Sequence, residues 1–210
     1  MKIFEMDKDS YTILEASMSR AIRGSKYPMA TETDRVNSVV TDMVNKLAFA
    51  PKGSAHDNWL CGIVVHFDVT FTVKAWTEAE RYHWFEIVSS QSTMHRIARL
   101  GENENNFVDY VDPVVLETIS RLIDDYNNET DEALKKEKYL KLLYSCPTGI
   151  KLTAMVVTNY QQLKTIYAQR LNHRLPEWRA FCQQLEELPH SEWITGEKNE
   201  NQTKFEQNRN

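Results

Sequence analysis

The alternation of apolar and polar residues is cleanest between Ile63 and Lys74. Ile63, Val65, Phe67, Val69, Phe71 and Val73 occupy one parity, and Val64, His66, Asp68, Thr70, Thr72 and Lys74 the other. A period of two describes a strand with one apolar and one more polar face. Elsewhere helical spacing takes over. Asp9 or Ser10 can cap a helix through Ile13, Leu14 and Met18 to Ala21, closing in the turn around Gly24 and Pro28. Thr33 or Asp34 can cap a second, whose Val36, Val39, Val40, Met43, Val44 and Leu47 recur at helical intervals. Thr77, followed by Glu78 and Glu80, reads as the start of a third, with Trp84, Val88, Gln91 and His95 along one face. Further helices are predicted over about 113–126, 130–144, 159–171 and 175–188, with a strand over 149–157 and a short one over 2–4. No repeat or linker divides the chain. One domain is expected over 1–196, then a tail over 197–210 with few apolar residues.

Composition narrows the class without naming it. The 210 residues are 41% hydrophobic and 26% charged, ordinary values for a globular protein with a real core. The net charge of -5 argues against a general nucleic-acid or membrane-surface binder. Cys61, Cys146 and Cys182 share no close spacing and sit among apolar neighbours, so all three are expected to be buried, reduced thiols of a cytoplasmic protein. The opening residues carry no apolar run of signal-peptide type, and no segment approaches the ~20 apolar residues of a membrane span.

Three polar clusters carry candidate chemistry. Gln91, His95 and Arg96 supply an amide, an imidazole and a guanidinium, groups that read a planar anionic heteroaromatic ligand but also suit a solvated helix end. Asn159, Leu163, Ile166 and Arg170 share one helical face, its ends ~16 Å apart along the axis at ~1.5 Å per residue. That face fits an extended ligand, or an exposed helix whose Arg170 lies over the core. Arg20 to Ser25 closes the first helix with cations beside a Gly-Ser turn, a phosphate cradle or a plain C-terminal cap. By contrast, Glu80 and His83 lack the second Glu-x-x-His of a di-iron bundle. No histidine–cysteine spacing suits zinc, no Gly-x-Ser-x-Gly marks a nucleophile, and Pro147 to Leu152 lacks P-loop glycines. No metal site is expected.

Taken in order, these segments resemble the flavin-dependent thymidylate synthases. That family's signature is Arg-His-Arg-x-x-Ser-x-Asn-Glu-x-Ser-x-Arg, preceded by a glutamine. Gln91, His95 and Arg96 match the glutamine and the His-Arg pair, and Glu102 falls at the glutamate. Ser25 stands where the family has a flavin-contacting serine, and His56 and Asn58 where it has a His-x-Thr pair. Cys146-Pro147 and Val157-Thr158-Asn159 look like its Leu-Pro and Thr-Val-Asn segments, and Glu177-Trp178 like its Gln-Trp-Glu. The Ser-Thr-Met-His form of the signature is similar to that of divergent, phage-associated proteins. Met94, Arg99, Gly101, Glu104 and Asn106 depart from the signature, and Leu143 replaces a nucleotide-binding arginine.

The resemblance implies an α+β fold, an antiparallel sheet flanked by helices, in a homotetramer with active sites between subunits. It implies reductive methylation of dUMP to dTMP, with methylenetetrahydrofolate giving the carbon and FAD, reduced by NADPH, the hydride. No side-chain nucleophile is implied. Ser25, His56, Asn58, His95, Arg96 and Asn159 would contact FAD. Gln91, Glu102 and Arg170 would contact dUMP or a related pyrimidine nucleotide. The departures keep two alternatives open: a non-catalytic nucleotide or flavin binder, and an enzyme acting on another pyrimidine nucleotide.

Overall fold

In β2 (Val64–Thr72) the alternation seen in the sequence becomes burial: Val65, Phe67, Val69 and Phe71 are 0–1% exposed, while Asp68 faces out. The computed structural model describes residues 11–13, 15–31, 36–51 and 53–196. β2 is central in a four-stranded, wholly antiparallel sheet of order β1-β2-β4-β3. β1 is Tyr11–Ile13, β3 Glu86–Ser90 and β4 Lys151–Asn159. The register runs from Val64 opposite Asn159 to Thr72 opposite Lys151, so this long ladder joins segments remote in sequence.

Helices α7 (Tyr160–Arg170) and α8 (Pro176–Leu185) are the main cover of the apolar face. Trp178 and Phe181 fill the gap to the sheet, with ring centroids 4.8 Å from Phe71 to Trp178 and 5.7 Å from Phe67 to Phe181. Tilted and edge-on contacts of this kind add ~0.5–1.5 kcal/mol per pair beyond the apolar area removed from water. α1 (Glu15–Ser25), α2 (Asp42–Ala48) and the short α9 (Glu192–Thr195) close the ends of this core. A second core lies among α4 (Thr93–Gly101), α5 (Pro113–Asn127) and α6 (Glu132–Ser145), where Ile97, Ile119, Ile123 and Leu142 are buried. α5 and α6 follow the predicted ranges, their starts fixed by Asp112 and Asp131, whose carboxylates accept from the first-turn N–H groups.

Three expectations need correction. The third helix does not begin at Thr77. Thr72 is the cap, accepting from Ala75 N at 3.1 Å, and α3 spans only Val73–Ala79. Thr77 lies inside it and donates back to Val73 O. Trp84, Val88 and Gln91 therefore leave the helix. Residues 86–90 pair with β4 as an edge strand, where the β-branched Ile87 and Val88 suit a pleated surface. Thr158 Oγ1 donates to Trp84 O, and Trp84 N to the buried Gln162 Oε1, which locks the strand's entry. The second helix is also shorter: α2 starts after Thr41, which accepts from Val44 N, and the carbonyls of Asn37 and Val39 are taken by Lys26 Nζ instead. Thr33 and Asp34 lie outside the described residues. So do the strand over 2–4, the caps Asp9 and Ser10, and the tail. Ile13, expected in the first helix, belongs to β1.

Candidate functional site

Gln91 sits one step beyond β3, where its N–H donates to Thr153 O and its side-chain Oε1 accepts from Thr153 N, both at 2.9 Å. The side chain thus extends the ladder, and the Nε2 amide is left as the group that can donate to a ligand. α4 then opens at Thr93 with no side-chain cap from Ser92. His95 and Arg96, both exposed, stand in its first turns. The segment is therefore a helix beginning, where free N–H groups and the dipole favour negative charge, not the helix end that the spacing suggested.

Beside it is a groove of about 600 Å³ shared by α4, α5 and α6. Met94 and His95 form one wall, and Tyr126, Lys135, Lys136 and Tyr139 the other. Tyr126 and Tyr139 pack at 5.4 Å, and Lys135 lies over the Tyr126 ring. Tyr139 also donates to the carbonyl of Met94, which ties α6 to the start of α4. Two lysines and an aromatic pair were not among the sequence candidates. No signature marks them, since they stand on a helix whose charges look like an ordinary solvated face.

The second cluster gathers at the other end of the sheet. His56 and Asn58 are exposed on the loop that leads into β2, and Asn58 Oδ1 accepts from Gln161 Nε2 at 3.1 Å. Lys164 pins this loop to α7: its Nζ donates to Ala48 O, Ala50 O and the buried Asp57 carboxylate, the last at 2.8 Å. Asn159 caps α7, accepting from Gln162 N at 2.9 Å. Ser25 is 6% exposed and donates to Ile22 O. Asp57, Gln161 and Lys164 escaped the sequence reading; only the i, i+3 spacing of Gln161 and Lys164 on one helix face hinted at them.

The remaining two candidates stand apart. Glu102 is exposed after α4 and accepts from Asn127 Nδ2 at 3.4 Å. Arg170 is held inside the protomer. Its Nε donates to Tyr82 OH at 2.6 Å, its Nη atoms lie 3.5 Å from Glu78 Oε2 and its Nη1 2.7 Å from His173 Nε2. The guanidinium also lies over the rings of Tyr82 and Trp178, at 5.3 and 5.0 Å. Burial, and then the Arg170 charge, hold His173 below the ordinary histidine range. Burial works against ionisation of Glu78, yet Arg81, Arg170 and Lys74 together lower its pKa. Leu163 and Ile166, between Asn159 and Arg170 on the presumed ligand face, are fully buried, so that face packs into the core.

Thr153, beside Gln91, and Asn159 are six residues apart along β4, or ~20 Å at ~3.3 Å per residue. The structure brings His56, Asn58 and Asn159 together at one end, and Gln91, His95 and Arg96 at the other. The loop after α4 is spent on itself. Asn103 Oδ1 accepts from Asn105 N, and Asn106 Nδ2 donates to Leu100 O. A Cβ on Gly101 would meet Ile123 Cδ1 at 2.7 Å. Among the described residues no cluster of His, Cys, Asp or Glu is suited to a metal ion, and no helix is long and apolar enough to cross a membrane.

The sequence matches no protein-family model and no curated protein. The fold has solved counterparts. A flavin-dependent thymidylate synthase ThyX from Helicobacter pylori, complexed with FAD and dUMP, superposes with a TM-score of 0.62 at 16% identity, over 91% of this chain and 97% of that one. A UMP/dUMP methylase PolB from Streptomyces cacaoi, bound with 5-Br dUMP, gives 0.53 at 12% identity over 88% and 87%. The chain has the α+β fold of the flavin-dependent thymidylate synthases.

Proposed function

We propose that this protein binds FAD and a pyrimidine nucleotide and carries out the reductive methylation of dUMP to dTMP, with methylenetetrahydrofolate as carbon donor and NADPH as reductant. The observation that supports this reading most is the uncapped start of α4, which presents His95 and Arg96 beside Gln91 and the lysine–tyrosine groove. This donor set fits both ligands. Arg96, Lys135 and Lys136 are cations for phosphate oxygens, the Gln91 amide and His95 are donors for a heterocycle edge, and the tyrosines are an apolar wall. His56, Asn58 and Asn159 supply a second polar edge. Bound flavin would supply the hydride. The protein's own residues bind and orient the uracil, and the dipole of α4 with Arg96 stabilises negative charge developing on the ring.

Because the two clusters lie ~20 Å apart along β4, a complete site draws them from different subunits in our reading. The open edge of β3, with Val88 on it and Trp84 just before it each 57% exposed, supports assembly, for which we take the homotetramer. Arg170 enters as a clasp that shapes the wall under α8, its donors being engaged within the protomer.

A second reading has its own observation. The stretch from Arg99 to Asn106 seats Gly101 against α5 and spends Asn103 and Asn106 on local hydrogen bonds, so the protein can bind FAD and nucleotide without turnover. The test has two stages. FAD titrated into the purified protein should show a shifted visible spectrum, and its absence sinks both readings. Conversion of dUMP to dTMP with methylenetetrahydrofolate and NADPH then separates them: turnover upholds the enzyme, and binding without turnover upholds the second reading.

A further inference from the structure

A cavity of about 610 Å³ lies between the two cores, away from both clusters described above. Its floor is the segment before β4, where Val108 N donates to Gly149 O and Lys74 N to Thr148 O. Gly149 is required there, since a Cβ would meet Val111 Cγ2 at 2.5 Å. One side is apolar, from Val111, Val115, Pro147 and Leu175, with Tyr110 at the mouth and 75% exposed. The other side is basic, lined by Lys74, Arg174 and Arg179.

The cavity keeps a formal excess of positive charge, three cations against the carboxylates of Asp112 and Glu177. Both carboxylates have their oxygens engaged in the wall: Asp112 caps α5, and Glu177, 3% exposed, accepts from Thr72 Oγ1 at 2.6 Å. Arg179 Nη1 donates to His173 O and Arg174 O, which uses two of its five N–H donors and fixes the guanidinium over the loop entering α8. Arg174 is exposed and has no ion pair among the described residues. Lys74 meets only Glu78, at 3.8 Å with 55% of its side chain exposed, a contact that an incoming dianion outcompetes. α8 opens with no side-chain cap and adds its dipole to the same side.

We propose that this cavity binds a phosphate monoester carrying a flat ring. The phosphate lies among Lys74, Arg174 and Arg179, and the ring lies against Tyr110 and the valine wall. A volume within the 300–1,000 Å³ range of small-molecule sites accommodates such a ligand, and three cations match a dianion better than a carboxylate. The site shares no residue with the proposed flavin and pyrimidine site, so the two stand or fall separately.

The test is calorimetric titration of the full-length protein with phenyl phosphate and with inorganic phosphate. In Arg96→Ala, which disables the site beside α4, one phenyl phosphate per chain should still bind, more tightly than inorganic phosphate. Arg174→Ala and Lys74→Ala should each weaken both ligands about tenfold or more, the size expected for loss of one charged hydrogen bond. Tyr110→Ala should weaken phenyl phosphate alone. These side chains are exposed, and an unchanged circular dichroism spectrum establishes that each variant folds. Absence of saturable binding overturns the proposal, as does binding unaffected by all three substitutions but lost in Arg96→Ala, which would place the ligand beside α4. If Arg174→Ala and Lys74→Ala act but Tyr110→Ala does not, the ring-binding half is overturned and the anion site stands.

Discussion

The loop bearing His56 and Asn58 depends on one ammonium group, and Lys164→Met tests that dependence. Methionine keeps most of the apolar stem but removes the charge and all three donated hydrogen bonds. What remains is a carboxylate, Asp57, with 5% of its side chain exposed and no countercharge. Breaking a buried pair from one side costs ~3–5 kcal/mol. The Lys164 side chain is 18% exposed, so water can reach the vacated position, and ~3 kcal/mol is a fair expectation. For a chain of this length that corresponds to a fall of roughly 6–12 °C in Tm. Urea unfolding of the wild type, Lys164→Met, Asp57→Asn and the double variant gives the coupling directly. The double variant should be more stable than the sum of the two losses by more than ~1 kcal/mol. A Lys164→Met protein within ~0.5 kcal/mol of wild type, or strict additivity, would refute the pinning argument. On the function proposed above, Lys164→Met should also weaken FAD binding, because the loop it holds carries two candidate contacts.

Three further outcomes are expected. Burial pushes the Cys146 thiol up to about 11 and the Cys182 thiol up to about 12, while Cys61 is exposed; a thiol reagent at pH 8 should modify one cysteine per folded chain and three in denaturant. Gly101→Ala should cost ~1–3 kcal/mol by forcing a methyl into Ile123, whereas Met94→Arg, at a position 59% exposed, should leave Tm nearly unchanged; equal Tm values for the two would contradict the packing at α4. Glu129, hydrogen-bonded by Lys138 and by the N–H groups of Asp131 and Thr130, has its carboxyl lowered to about 2. Its contribution to the α5–α6 turn is full above the ordinary value of 4.5 and is lost as pH falls towards about 2, so its NMR titration midpoint should rise towards 4.5 in Lys138→Met.

How much the sequence disclosed varies from element to element, for physical reasons. β2 was legible because a period of two runs unbroken through it, and α5 and α6 because a capping aspartate stands at the right place before each. Residues 73–95 were not. Thr72 and Thr77 both suit a cap, and the choice between them depends on the geometry at the end of β2, which no local spacing encodes. Capping five residues early ended the helix early and released 86–90 to β4, a partner more than sixty residues away. At the candidate site, the polar residues before β2 and at the start of α7 were visible by type and order. Lys164 was not, because its acceptors are two backbone carbonyls and a carboxylate from a loop over a hundred residues distant. Arg170 was visible as a cation, but the cage that Tyr82, Glu78 and Trp178 make around it exists only in three dimensions.

The distance along β4 between Thr153 and Asn159 has a thermodynamic consequence. If one ligand touches both clusters, the two ends of its site belong to different chains, and filling the site and joining the chains become a single linked equilibrium. Apparent affinity then rises with protein concentration, and each ligand bound adds to the free energy of association. Dilution would release ligand as well as separate subunits, so the occupancy of the site would report how much of this protein is present.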